Sequence, residues 1–462
     1  MTIESLALKV LLPSFSGATV PSGVLDLLDD GLGGLCLFGS NTARGPRAVE
    51  ACTASVRSVA PNAVIAVDEE GGDVTRLHAT SGSPVLGPLA LGVADDLDLT
   101  RAVGRAVGLE LASLGISLDL APVADVNSHP DNPVIGTRSF GTSAPKVAEH
   151  VAAWTIGLQS AGVGACAKHF PGHGDTSADS HLALPMVDVD IGVLAQRELV
   201  PFAAAIKAGT ATVMTSHVVV SALDRAMPAT LSTPVLTLLR DGLGFRGVIV
   251  SDALDMVGAS GTRSIPEAAA TAIAAGVDLL CTGAENNIDL IHAIQAALVD
   301  AVRFGHLAEE RLTEAAGAVD SLAVEASAGP DLEPDTLAAG AHRSVTVSGN
   351  LPLLAGARMV RVDSESTDAL GAAPWGLPAD AVVAPADTAL PDGPLVIQVR
   401  DAHRQPAVLA TLAAARSDSV VVEWGWPGQR RTDTLTTINT RGWSRPGAMA
   451  VTDLLRRAGW ER

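Results

Sequence analysis

Lysine is nearly missing from this chain. Among 31 Lys and Arg residues, only Lys9, Lys146, Lys168 and Lys207 are lysine. Positive charge is scarce altogether: 51 acidic residues against those 31 give a formal net charge of −20. That balance argues against nucleic acid and anionic membrane surfaces as partners. Cysteine is sparse too. Cys36, Cys52, Cys166 and Cys281 sit in apolar segments without C-x-x-C spacing. Buried free thiols in a reducing compartment are therefore expected, not a disulfide framework. No apolar run is long enough for a membrane span; the richest, 268–281, is short and carries Asp278. The opening MTIESLALKVLLPSFSG has no basic region and places Glu4 early, so no secretory signal is read and the cytoplasm is the expected compartment.

What the chain does have is apolar substance in a regular rhythm. Across 462 residues it is 47% hydrophobic and 18% charged, enough for a large core. Short apolar runs at 33–38, 63–67, 117–123, 163–167, 211–216, 247–251 and 277–282 read as strands. Between them lie helix-period segments such as TRAVGRAVGLELASLG and PKVAEHVAAWTIGLQSAG, several ending in glycine. Strands apolar throughout and separated by helices imply a parallel sheet covered on both faces. Seven such units within about 300 residues favour a (β/α)8 TIM-like barrel over an open sheet. The eighth strand is unassigned, and 85–91 is read as an irregular unit. After 325 the Pro-, Gly- and acid-rich EASAGPDLEPD reads as a linker. The expected organisation is a barrel over 1–325, a linker over 326–335 and a smaller C-terminal α/β domain over 336–462. The last contains no dense polar cluster and is assigned a structural or lid role.

Polar groups recur where the barrel strands end. Asp68, Glu69 and Glu70 follow one strand, Asp125 and Asn127 another, Lys168 and His169 a third, His217 a fourth and Asp252 a fifth. Strand C-termini of a barrel converge on one face, and that face carries the active site. The densest segment is KHFPGHGDTSADSHLALP, 168–185, with one Lys, three His and two Asp in eighteen residues. Ordering so many polar groups is costly unless they find partners. Its Lys168 is notable in a chain that otherwise uses Arg.

Each candidate has an ordinary reading beside its chemical one. Asp252 caps a following helix, or it is a carboxylate nucleophile suited to glycosyl transfer. Asp179 and His181 form an Asx turn, or a dyad in which the acid raises the basicity of the imidazole. His169, His173, Asp175, Asp179 and His181 have spacings compatible with a divalent metal, although Lys168 would adjoin the cation and Pro171-Gly172 breaks a helical face. Arg76 is the counter-ion of an acidic turn, or it braces Asp68 as that carboxylate accepts sugar hydroxyls. Arg138, in the Gly-flanked loop NPVIGTRSFG, is a surface cation or a sugar-contacting donor.

Together these segments resemble glycoside hydrolase family 3, in its NagZ-like β-N-acetylglucosaminidase branch, over about 5–325. AVDEEGGDVTRL is similar to the family's D-x-E-G-G-x-V-x-R strand end, NPVIGTRSFG to its N-P-x-I-G-x-R-S-F loop, and KHFPGHGDTSADSH to its K-H-F-P-G-H-G-x4-D-S-H loop. PATLS and GFRGVIVSDALDM resemble the segment leading to the nucleophile. The resemblance implies Asp252 as nucleophile, His181 as acid/base and Asp179 as its partner. It implies that Asp68, Arg138, Lys168 and His169 hold the non-reducing N-acetylglucosamine with Arg76 close by, with no metal or organic cofactor. Glu69 stands where Gln is frequent and Ala253 where Asp is frequent. The implied activity is retaining exo-hydrolysis of terminal β-linked N-acetylglucosamine from peptidoglycan-recycling fragments or chitin-type oligosaccharides. Three rivals stand beside it: a phosphorylase using the same site, a metal-dependent hydrolase built on the His cluster, and a silent sugar-binding module. The sequence carries no sign of oligomeric state.

Overall fold

The computed structural model describes residues 1–177, 184–260, 263–364, 374–428 and 435–461. Eight short parallel strands lie between residues 11 and 281: β1 Leu11–Leu12, β2 Gly34–Leu37, β3 Val64–Val67, β4 Leu118–Asp119, β5 Gly164–Phe170, β6 Thr212–Thr215, β7 Val248–Val250 and β8 Leu280–Cys281. Strands β2 to β7 pair in sequence order. A bridge from Val250 to Leu279 joins β7 to β8, and β8 pairs with β1. Backbone bonds from Gly33 N to Leu8 O and from Cys36 N to Pro13 O return β1 to β2, so the ring closes. This is the expected (β/α)8 barrel, with the missing strand supplied by Leu11–Leu12. The 85–91 segment instead leads into the helix Pro88–Ala94.

Packing follows the strand pleat. Leu12, Cys36, Ala66, Leu118, Cys166 and Val250 point into the barrel and share one buried cluster. The alternate residues face the surrounding helices, among them α1 Leu97–Ser113, α2 Ala144–Ser160 and α3 Leu199–Lys207. α1 starts where the Asp96 carboxylate accepts the Leu99 amide, and its Leu99, Val103, Val107 and Leu111 recur at helical spacing on the buried face. All four cysteines are free and buried, as expected.

A segment without regular structure, 322–333, leads to α4 Pro334–Ser344 and a second sheet. Its strands are β9 Thr346–Ser348, β10 Arg358–Val362, β11 Ala381–Val383, β12 Leu395–Val399, β13 Val420–Glu423 and β14 Thr436–Asn439. They lie in the order β9-β14-β13-β12-β10-β11, antiparallel only between β9 and β14. Apolar clusters cover both faces, one including α5 Arg445–Arg457. This is the smaller C-terminal α/β domain. No described helix is long and apolar enough to cross a membrane.

Candidate active site

The strand ends meet in a cavity of about 250 Å³ bordered by Asp68, Glu70, Arg76, Arg138, Lys168, His169, His173 and Asp252. Its size suits a ligand smaller than a typical drug molecule, on the scale of a single sugar ring. Four of the segments singled out above line it together. Asp68 leaves β3 and heads the hairpin formed by Glu69–Gly71 and Val74–Thr75, which returns Arg76 to the cavity. Arg138 ends the short 3-10 turn Gly136–Arg138. Lys168 and His169 lie on β5 itself, because that strand runs on to Phe170.

The charges form a closed set. Lys168 Nζ lies 2.7 Å from Asp68 Oδ1 and 2.7 Å from Glu70 Oε1. Glu70 also receives a forked pair from Arg138, Nε to Oε2 at 3.0 Å and Nη2 to Oε1 at 2.8 Å. Arg76 Nη2 stands 3.7 Å from Asp68 Oδ2. Burial works against the Glu70 carboxylate, but the adjacent Arg138 and Lys168 charges hold it well below the usual carboxylate range. Burial works equally against Lys168, and Asp68 and Glu70 override it to raise the ammonium's pKa. Glu70, Lys168 and Arg138, whose own pKa the Glu70 charge raises against burial, are therefore ionised across the neutral range. Asp68 and Arg76 keep some exposure, with 15% and 18% of their side chains accessible, so these two have bonding capacity left for a ligand.

Asp125 organises the start of the dense polar segment. This wholly buried carboxylate accepts from the backbone amides of His169 at 3.3 Å and His173 at 2.7 Å, and lies 2.7 Å from His169 Nδ1. His169 Nε2 faces Arg138 Nη2 at 3.3 Å. A guanidinium only donates, so Nε2 accepts and the ring's proton sits on Nδ1, pointing at Asp125. Burial pushes His173 down to about 4, so it is neutral, with Nδ1 2.9 Å from Thr176 Oγ1. Asp175 is held by Arg197 Nη2 at 2.6 Å, and Arg197 Nε also donates to Glu198 Oε1 at 2.6 Å. Thus His169, His173 and Asp175 each face a different partner. Among the described residues, no three His, Cys, Asp or Glu side chains gather as a metal would require.

No helix begins at Asp252; it enters a turn, and its Oδ1 accepts the amide of Ala253 at 2.8 Å. His217, from the end of β6, fixes that turn with Nε2 3.0 Å from the Ala253 carbonyl. Asp179 and His181 lie outside the described residues. The remaining expected site residues, Asp68, Arg76, Arg138, Lys168, His169 and Asp252, border one cavity. Asp125 and His217 were visible in sequence only as polar strand ends, and Glu70 only as the glutamate of the D-x-E-G-G match without a role; nothing marked Glu70 and Asp125 as the carboxylates that hold the cations and the histidine.

The Glycosyl hydrolase family 3 N terminal domain model matches residues 21–322. Beta-hexosaminidase A of Pseudoalteromonas piscicida is 35% identical over 356 residues, which is 70% of this chain and 59% of that protein, so the chain spans about three fifths of that relative. The Beta-hexosaminidase of Chromobacterium violaceum is 39% identical over 258 residues, covering 54% of this chain and 71% of that one. A solved family 3 β-N-acetylglucosaminidase from Paenibacillus sp. str. FPU-7 superposes with a TM-score of 0.88 at 29% identity, covering 99% of this chain and 97% of its own. With the motif residues gathered at the mouth of a closed barrel, these matches make the chain a member of glycosyl hydrolase family 3, similar within it to β-hexosaminidases.

Proposed function

We propose that this glycoside hydrolase is a retaining exo-β-N-acetylglucosaminidase that removes terminal β-linked N-acetylglucosamine. The observation that carries the reading is the shared cavity. Asp252, a carboxylate on a fixed turn, faces the same small space as Asp68, Arg76, Arg138, Lys168 and His169. The first group suits attack at an anomeric carbon; the others suit recognition of hydroxyl and acetamido groups. The activity named for the Paenibacillus and hexosaminidase relatives supports the same substrate.

In this reading Asp252 attacks the anomeric carbon as the bond to the leaving oxygen breaks, forming a glycosyl ester. His181, oriented by Asp179, gives its proton to that oxygen. It then takes a proton from water, which attacks the anomeric carbon, breaks its bond to the Asp252 oxygen and restores the carboxylate with net retention. An imidazolium acid becomes a neutral imidazole when it gives up its proton, so no second negative charge forms beside Asp252, unlike the two-carboxylate scheme. The reaction so written uses no metal or organic cofactor. Peptidoglycan-recycling fragments and chitin-type oligosaccharides are the proposed natural substrates, and the cytoplasm the proposed compartment.

The test is release of nitrophenol from the aryl β-N-acetylglucosaminide and the aryl β-glucoside, side by side, with a chelator present. Strong preference for the N-acetyl sugar is expected, and Asp252→Asn should abolish turnover in a folded protein. Near-normal activity in that variant would end the proposal. Added phosphate should change neither rate nor product; a sugar 1-phosphate would identify transfer to phosphate instead.

A further inference from the structure

The C-terminal domain meets the cavity's supports at a buried carboxylate, Asp73. Asp73 lies at the turn of the hairpin that presents Asp68, Glu70 and Arg76, and only 4% of its side chain is exposed. Its Oδ2 accepts the hydroxyl of Thr137 at 2.6 Å, and Thr137 directly precedes Arg138. Its Oδ1 accepts the Trp443 amide at 2.9 Å and lies 2.5 Å from Arg400 Nη2. Arg400 is the first residue after β12 and is equally buried; Trp443 stands just before α5. One side chain thus joins the Arg76 hairpin, the Arg138 loop and two segments of the other domain.

The surrounding chain is shaped to this approach. Gly442 has φ +99°, and a Cβ there would lie 2.8 Å from Asp73 Oδ2. A Cβ at Gly82 would overlap the Trp443 ring. Arg404 Nη1 donates to the Asn132 carbonyl at 3.0 Å, and Asn132 Oδ1 accepts the amides of Val134 and Ile135 within the Arg138 loop. The family model ends at residue 322, so Arg400 and Trp443 lie beyond it. A buried ion pair adds little net stability compared with apolar groups of the same volume, but it fixes geometry. Adhesion between two domains needs no such pair on a hairpin that carries ligand-facing charges.

We propose that Arg400, acting with the Trp443 amide through Asp73, is a positioning residue for sugar recognition: the C-terminal domain sets the spacing of Arg76 and Arg138. The inference rests on the N-acetylglucosamine reading of the cavity. Contacts this far from the reacting centre act by displacing the groups that hold the sugar, and small displacements carry large penalties.

The test uses the full chain with Arg400→Met, Arg400→Lys and Thr137→Val. The readouts are kcat and KM on the aryl β-N-acetylglucosaminide and Kd for free N-acetylglucosamine by calorimetry. Arg400→Met is expected to raise KM and Kd together, on the order of tenfold or more, with a smaller change in kcat, and Arg400→Lys to recover part of the loss. Thr137→Val removes one hydroxyl, leaves the interdomain pair intact and should move KM and Kd in the same direction. It decides the question if Arg400→Met fails to fold. Variants that keep the parent's KM and Kd to within about twofold would overturn the inference and leave the contact merely adhesive. A parent protein that neither turns over the glycoside nor binds the sugar would overturn the cavity reading and this inference with it.

Discussion

Glu70→Gln should do more damage than its single-atom change suggests. Glu70 is 1% exposed and sits between the Arg138 guanidinium and the Lys168 ammonium, both also buried. The amide keeps the volume but removes the charge that bonds both cations directly, and its NH2 must point at one of them. Breaking a buried pair by neutralising one partner costs about 3–5 kcal/mol, because the other charge stays buried without compensation. Unfolding entropy of about 2.1 cal/mol/K per residue, applied to a barrel region of roughly 320 residues, converts that loss to a fall in Tm of about 5–7 °C. The pH dependence is fixed by the shifts. Glu70, depressed in the fold, contributes above the ordinary carboxylate range and loses its contribution only as pH falls through its folded value. Lys168, raised in the fold, contributes below the ordinary lysine range and loses its contribution only as pH rises through its folded value. The difference in Tm between parent and variant should therefore be flat between about pH 5 and 9. Scanning calorimetry across that interval, with kcat/KM on the aryl glycoside, measures both consequences. A Tm within about 1 °C of the parent, together with an unchanged KM, would refute the claim that Glu70 holds the two cations in place.

Glu69 offers a pH effect of the opposite sign. Burial pushes its carboxyl up to about 7, while Oε2 accepts the amides of Arg76 and Leu77. An acid raised in the fold loses stability as pH climbs from the ordinary carboxylate range to its folded value. Glu69→Gln cannot ionise, so its Tm relative to the parent should rise across about pH 5 to 7 and level off above; parallel curves would sink this account. Asp125→Asn turns an NH2 toward one of the three donors that the carboxylate accepts. Losing one or two bonds to a charged group, each worth about 1.5–3 kcal/mol, should lower Tm and also kcat/KM, since His169 no longer has its Nδ1 proton held. Thermal scans and kinetics matching the parent would rule that out.

The barrel was legible because its strands are buried on both faces. Runs such as VGACA and GVIVS have no polar residue until the strand ends, and that ending marks the face that holds the cavity. Leu11–Leu12 escaped notice because a two-residue strand between the helix Ile3–Lys9 and Pro13 leaves no run to read. Asp68, Arg76, Arg138, Lys168, His169 and Asp252 could be singled out because they sit in motifs of unusual density, and they border one cavity. Glu70 and Asp125 were seen but not ranked, since a supporting carboxylate differs from a solvated one only in what it faces. Arg400 left no trace at all. It is one arginine among many, and its significance depends on a partner more than 300 positions earlier in the chain.

The pairing of β1 with β8 has a consequence for biosynthesis. Leu11 waits for Leu280 and Leu12 for Cys281, so the ring cannot be completed until nearly three hundred residues have left the ribosome. Until then the growing chain holds an unclosed sheet with two bare edges, the kind of template that recruits other strands. The acidic bias of the sequence then acts as protection during synthesis, since like-charged nascent chains repel one another through the interval when their edges are open.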